Sequence, residues 1–207
     1  MNVKEFSENY FKELNSAILQ IDKDKIAKIA EVIYDAYKND KQIFVLGNGG
    51  SASTASHFVC DLAKGTVKDF SNIREKRFKA ISLADNIALI TAIGNDLSYE
   101  DIFWQQLSGL VKEGDVVIGI SASGNSPNIV KAILKSKECG AKTIGLLGFE
   151  TGGKLHDLVD NEITIQDNNY GRVEDAHLIL CHIISNYLGE LTRSNNPPAG
   201  GLAQSAI

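Results

Sequence analysis

Five short apolar runs, separated by stretches of helical periodicity, constrain this chain more than any other feature. They are Gln42–Leu46 (QIFVL), Lys79–Leu83 (KAISL), Asp115–Ile120 (DVVIGI), Lys142–Leu147 (KTIGLL) and Asn161–Ile165 (NEITI), each of strand length. Most are apolar at consecutive rather than alternate positions, the pattern of strands covered on both faces. Helical patterns fill the intervals at about 52–63, 86–94, 98–112, 127–139 and 151–158, and another runs over about 170–192. This alternation predicts an α/β fold, a three-layer sandwich around a five-stranded, mostly parallel sheet with right-handed crossovers.

Ahead of the first strand, residues 3–38 carry apolar side chains at three- and four-residue steps, from Phe6 and Tyr10 through Ile33 and Tyr37, with a break near Asp22–Asp24. This long N-terminal helix has more apolar positions than one sheet face needs, which points to packing between subunits. Lys64–Lys79 is polar and basic and is expected to be an exposed loop. From Ser194 onward the chain is rich in Pro, Gly and small residues. The expectation is a single domain over 1–192 and a mobile tail over 193–207.

Composition excludes several classes. A net charge of −5 argues against nucleic acid as a partner, because phosphate-backbone binding wants an excess of Lys and Arg. No apolar run reaches the ~18–20 residues that span a bilayer, and the charged N-terminus lacks the apolar core of a signal peptide. Cys60, Cys139 and Cys181 are odd in number, far apart and form no CxxC pair, so a reducing cytoplasm is expected. Cys60 and Cys181 are expected to be small buried fillers.

Two strand ends lead into nearly matching turns, Gly47-Asn48-Gly49-Gly50-Ser51-Ala52-Ser53 and Ser121-Ala122-Ser123-Gly124-Asn125-Ser126-Pro127. At the carboxyl end of a parallel strand the following helix offers free N–H groups and a positive dipole end. Glycine admits an anion close to the backbone, and serine adds neutral donors. Such turns suit a phosphate even in an acidic protein. Neither GxGxxG nor GxxxxGKS is present, so dinucleotide and nucleoside triphosphate chemistry is not indicated. A purely structural role is also open, with Ser126 capping a helix that has Pro127 at its first position.

Candidate acid–base groups lie on two helices. His57 and Asp61 are four apart and share a face, while Glu174 and His182 are eight apart with His177 between them. Two imidazoles and two carboxylates brought together would suit zinc, or else a metal-free acid–base pair.

GNGGSASTASHF followed by ISASGNSPNIVKAI resembles the sugar isomerase (SIS) domain, and more specifically the phosphoheptose isomerase family. The likeness extends through AIGNDLSYEDIF, TGGK at Thr151–Lys154 and GRVEDAHLILCHII, up to about residue 192. It implies a flavodoxin-like SIS fold and a cytoplasmic homotetramer with sites between subunits. The implied activity is interconversion of sedoheptulose 7-phosphate and a manno-heptose 7-phosphate through a cis-enediol. The implied pathway is nucleotide-activated heptose synthesis for lipopolysaccharide, capsule or another surface glycan. The positions matching His57, Asp61, Glu174 and His182 form the family's reaction centre and bind one zinc; Asp61 and His182 take the proton-transfer roles. Asn48, Gly49, Gly50 and Ser51 in the first turn, and Ser121, Ala122, Ser123 and Ser126 in the second, match substrate contacts, as do Glu174 and Asp96.

The chain departs from the family pattern around the site. Asp61 stands where the family has Glu, Glu174 where it has Gln, and Ala122 where it has Thr. Gly171 replaces an acidic residue, and LAKGTV replaces a Leu-Thr-Gly-Arg pattern, leaving Lys64 as a stand-in for Arg. These changes leave two other readings open: isomerisation of a different sugar phosphate, or a non-catalytic phosphosugar- or partner-binding SIS protein.

Overall fold

A computed structural model describes residues 2–195. Its five strands are β1 (Gln42–Gly47), β2 (Lys79–Ser82), β3 (Val116–Ser121), β4 (Lys142–Leu147) and β5 (Asn161–Thr164). They form one sheet in the order β2-β1-β3-β4-β5, and every neighbouring pair is parallel. The order reverses between β1 and β3, where Gly47 lies opposite Ile120 at the carboxyl ends of both strands. Both Gly/Ser turns leave the sheet at this crevice, the place where open α/β sheets bind ligands.

Helices cover both faces. On one side lie α2 (Lys23–Lys38), α3 (Gly50–Cys60) and α8 (Tyr170–Asn195). Ile29 and Ile33, Ala55 and Phe58, and Ala176, Leu180 and Ile184 from these helices meet Ile43, Val45, Val116, Ile118, Ile144 and Leu146 of the sheet. On the other side lie α4 (Ile87–Asp96), α5 (Trp104–Ser108), α6 (Pro127–Glu138) and α7 (Gly153–His156). There Phe44, Leu46, Val117 and Leu147 pack with Ile93, Leu107, Ile129, Ile133 and Leu155. Consecutive apolar residues in β1 and β3 thus go to opposite layers, as a strand's period of two requires. Gly119 lets Ile129 sit directly on β3, where an added Cβ would come within 3.0 Å of Ile129 Cγ2.

The N-terminal helical stretch divides into α1 (Val3–Leu19) and α2. A capping box between Asn2 and Glu5 starts α1, and the Asp22 side chain accepts the Asp24 N–H to start α2. The break therefore falls where the sequence places it.

Elsewhere the elements differ from expectation. The stretch 98–112 is not one helix: Ser98 is extended and its hydroxyl bonds Asp101, a 3₁₀ turn covers Tyr99–Asp101, and only α5 follows. Burial of the adjacent Ile102, Phe103 and Leu107 explains the misleading apolar spacing. Of 151–158 only α7 is helical, because Gly152 and Gly153 have positive φ. Lys64–Lys79 is largely exposed, but Thr66, Val67 and Phe78 are buried beneath it. Helix α8 continues to Asn195, so 193–195 is helical rather than tail; the expected tail's remaining residues, 196–207, lie outside the described residues.

Candidate active site

Helix α3 begins at the first turn. Gly49, at φ +55°, precedes it, and Gly47 has no Cβ where one would strike the Ser51 carbonyl at 2.5 Å. The chain can therefore turn from β1 into a helix within three residues, leaving its first N–H groups at the carboxyl end of the sheet. Ser51 is buried against this turn. In the second turn the Ser121 hydroxyl accepts the Gly124 N–H at 3.1 Å, and the Ser123 hydroxyl accepts the Asn125 N–H at 3.3 Å. Gly124 and Gly153 let the loop after β4 close onto this turn, since a Cβ on either would overlap the other loop's backbone. Ser126 precedes α6 with Pro127 at the first helical position, but its side chain makes no cap hydrogen bond. Its hydroxyl is not committed to the helix. Ala122 is buried.

Gly50, His57 and Asp61 recur at i, i+7 and i+11, a single face of α3 and its continuation. That continuation, Asp61–Gly65, is a π-helical turn, a feature frequent at functional sites. Helix α8 lies alongside in the same direction, so Glu174 sits beside Gly50 and His182 beside His57. The Nε2 atoms of His57 and His182 are 2.9 Å apart, and Asp61 Oδ2 is 3.4 Å from the first and 3.7 Å from the second. Both imidazoles are about half exposed, at 47% and 46% of their side-chain surface. The cluster thus opens to solvent on this chain.

This group suits a metal. Tetrahedral zinc with N and O ligands at ~2.0–2.2 Å sets its ligand atoms about 3.3 Å apart, and the three observed edges bracket that spacing. Two imidazoles and one carboxylate leave the fourth position free, the pattern of catalytic rather than structural zinc. Glu174 is not part of the group, which comprises His57, Asp61 and His182. Its carboxylate lies instead over the first residue of α3, where a Cβ on Gly50 would meet Oε2 at 2.5 Å.

Asn48 bonds Asn128 and Tyr99 across the crevice between the two turns. Asp96 ends α4, is exposed and accepts from Asn95, three residues before Tyr99; no bond joins it to the imidazole cluster. Lys64 is exposed on the π-helical turn. Cys181 is buried as expected, and burial, reinforced by the charge of Asp61, raises its thiol pKa. Cys60 is exposed, contrary to expectation, because α3 turns that position away from the sheet.

His177 is the core histidine of the set. It is fully buried, its Nε2 lies 2.9 Å from the Leu147 carbonyl, and burial lowers its pKa to about 4. A neutral ring at that distance must donate Nε2–H to the carbonyl, since the oxygen has no proton to give. Its Nδ1 has no partner.

Sequence reasoning missed Asn128 and Tyr99. A signal was available for Asn128: it stands in the buried stripe of α6 with Ile129, Ala132, Ile133 and Ser136, and a polar residue on an apolar stripe calls for a partner.

Comparison with known proteins places the chain in one family. The family described as SIS domain matches residues 8–148. A phosphoheptose isomerase from Geotalea daltonii is 42% identical over 164 residues, covering 79% of this chain and 82% of the relative. A probable phosphoheptose isomerase from Thermoplasma acidophilum is 36% identical over 184 residues, covering 89% and 98%. The solved phosphoheptose isomerase from Neisseria gonorrhoeae superposes with a TM-score of 0.82 at 28% identity, covering 91% of this chain and all of that one. The chain belongs to the phosphoheptose isomerase family of SIS-domain proteins.

Proposed function

We propose that the protein is an aldose–ketose isomerase that converts sedoheptulose 7-phosphate to a D-glycero-D-manno-heptose 7-phosphate. The observation that carries this reading is the convergence of His57, Asp61 and His182 on the same face of α3 that starts at the first Gly/Ser turn. Seven helical residues separate Gly50 from His57, a rise of about 10 Å. An extended seven-carbon ester bound by its phosphate at the turns spans that interval and brings C1 and C2 to the imidazoles. Its hydroxyls then pass Glu174, and Asp96 is carried over as a hydroxyl contact from the family pattern alone.

The reaction relocates protons and needs no external oxidant. A base removes a proton from C1 of the ketose, giving a cis-enediol as the C2 carbonyl oxygen gains a proton. Return of a proton to C2 and loss of one from O1 yields the aldehyde. His182 is the base or proton shuttle, since imidazole titrates near neutrality. Asp61, beside both rings, serves the oxygens. Zinc held by His57, Asp61 and His182 would polarise the carbonyl and stabilise the developing negative charge. The Nε2 lone pair of His182 serves either a metal or a proton. Without a metal, one ring would donate to the other across the 2.9 Å Nε2–Nε2 contact, giving a metal-free acid–base pair.

Ile183 and Tyr187 are exposed on α8, and Phe6 and Phe11 are exposed on α1. Such apolar surface beside an open site supports a homotetramer whose sites are completed between subunits. Free cysteines support a cytoplasmic setting, and among the described residues no helix is long and apolar enough to cross a membrane. The product would feed nucleotide-activated heptose synthesis for a surface polysaccharide.

Incubation with sedoheptulose 7-phosphate in deuterated water, followed by NMR, tests the reaction. An aldoheptose phosphate deuterated at C2 is expected. Loss of turnover on chelation and recovery with zinc would assign the metal. Absence of turnover with ligand still bound would move the reading to another sugar phosphate or to a non-catalytic binder.

A further inference from the structure

Asn128 is buried, 1% exposed, at the second residue of α6, just beyond the second turn. Its Oδ1 accepts the backbone N–H of Ile129 at 3.0 Å. A backbone N–H can only donate, so this bond settles which end of the Asn128 amide is oxygen. The orientation then propagates. Asn48 Nδ2 donates to Asn128 Oδ1 at 2.9 Å, Asn128 Nδ2 donates back to Asn48 Oδ1 at 2.9 Å, and Tyr99 Oη donates to the same Asn48 oxygen at 3.0 Å. Both lone pairs of Asn48 Oδ1 are therefore filled and one of its two N–H bonds is used. What remains is a single N–H, with no acceptor beside it.

We infer that Asn128 is a positioning residue for substrate binding: it acts through Asn48, fixing that amide so that the first turn offers a donor and never an acceptor. A turn that only donates favours oxygens carrying negative charge, such as those of a phosphate ester. The same reciprocal amide pair ties the first turn to the start of α6, and so sets the spacing of the two turns across the crevice between β1 and β3. Tyr99 completes the orientation from the segment after α4. The inference rests on reading the turns as the sugar-phosphate site.

The experiment measures kcat and KM for sedoheptulose 7-phosphate in Asn48→Ala, Asn128→Ala, the double variant and Tyr99→Phe. Loss of one hydrogen bond to a charged group corresponds to about a tenfold or greater rise in KM, with kcat nearly unchanged because ground and transition states lose it alike. Asn128→Ala is expected to show that rise in the parent and almost none in the Asn48→Ala background. A merely structural Asn128 would lower the melting temperature or active fraction at constant KM, or its effect would multiply with that of Asn48→Ala; either result overturns the inference. Should Asn128→Ala fail to fold, Tyr99→Phe carries the test, because the Tyr99 ring is largely exposed. Its smaller rise in KM should also vanish in the Asn48→Ala background, and persistence there counts against the inference. If the parent does not turn over this substrate, the functional reading fails on its own. The same variants are then titrated with inorganic phosphate: a non-additive loss of affinity sustains the Asn128 assignment, and equal affinity in all variants removes it.

Discussion

Gly50→Ala separates the position of Glu174 from the stability of the fold. Gly50 has ordinary helical geometry and heads α3, so nothing in its own backbone demands glycine. The three atoms nearest to where a side chain would begin all belong to the Glu174 carboxylate. An alanine Cβ would lie 2.5 Å from Oε2, whereas ordinary contact begins at 3.4 Å, so the carboxylate must withdraw by about 0.9 Å, the difference of the two. Since this is the far end of a flexible side chain, folding should tolerate the change. Loss of glycine's unfolded-state entropy contributes about 0.4–1 kcal/mol in favour of the variant, so net stability should stay within about 1 kcal/mol of the parent. Catalysis should not tolerate it, because a displacement near 1 Å in a positioning group can cost about 100-fold. Thermal melts and steady-state kinetics with sedoheptulose 7-phosphate provide the assay, with Glu174→Gln alongside. If position matters more than charge, Glu174→Gln should retain turnover within about tenfold while Gly50→Ala does not. A stable Gly50→Ala protein with parental kcat and KM would refute the reasoning and remove Glu174 from the substrate's path.

Asp61→Asn and His182→Ala should each lower kcat by about 10²–10⁴-fold while equilibrium binding of the sugar phosphate remains measurable; near-normal turnover in either would withdraw the proton-transfer assignment. His177 should impose a pH slope on stability. Its folded pKa of about 4 lies below the ordinary 6.5, so the unfolded chain binds more protons between those values and stability falls on acidification. Between pH 7 and 5 the loss attributable to this ring is about 2 kcal/mol. In urea titrations His177→Gln should flatten the slope by that amount, and an unchanged slope would contradict the buried neutral state. Gly124→Ala, at φ +60° against the Gly152 carbonyl, should destabilise by at least about 1 kcal/mol and weaken phosphate-ester binding in a titration; retained affinity would detach the second turn from the ligand.

The sheet was legible because its inner strands β1, β3 and β4 are apolar on both faces, a pattern few other structures need. The bounds of all five strands fall within one residue of expectation at every end, and the break between α1 and α2 includes Asp22. The segment 98–112 was not legible: Ile102, Phe103 and Leu107 mimic helical spacing, and the competing Ser98–Asp101 bond is a local side-chain choice that periodicity does not register. Within the site, His57 and Asp61 declared their shared face through i,i+4 spacing, but nothing in α8 alone separated His182 from His177. Five residues apart on one apolar helix, the first faces α3 at the surface and the second faces the sheet, a distinction that only the packing direction of α8 supplies. Glu174 likewise needed the parallel alignment of the two helices before its place over Gly50 could be seen. The Asn48–Asn128 pair spans eighty residues and depends on two turns meeting at the sheet's crevice.

The pairing of α3 with α8 also orders events in time. His57 and His182 are 125 residues apart in the chain. At about 5–20 residues per second, their appearance during synthesis is separated by an interval on the order of ten seconds. Both Gly/Ser turns and the β1–β3 pairing are complete in sequence by Pro127, well before α8 exists. A nascent chain therefore carries both Gly/Ser turns first, while Ala55, Phe58 and Leu62 await the helix that will cover them. The His57–His182 contact cannot form until α8 docks.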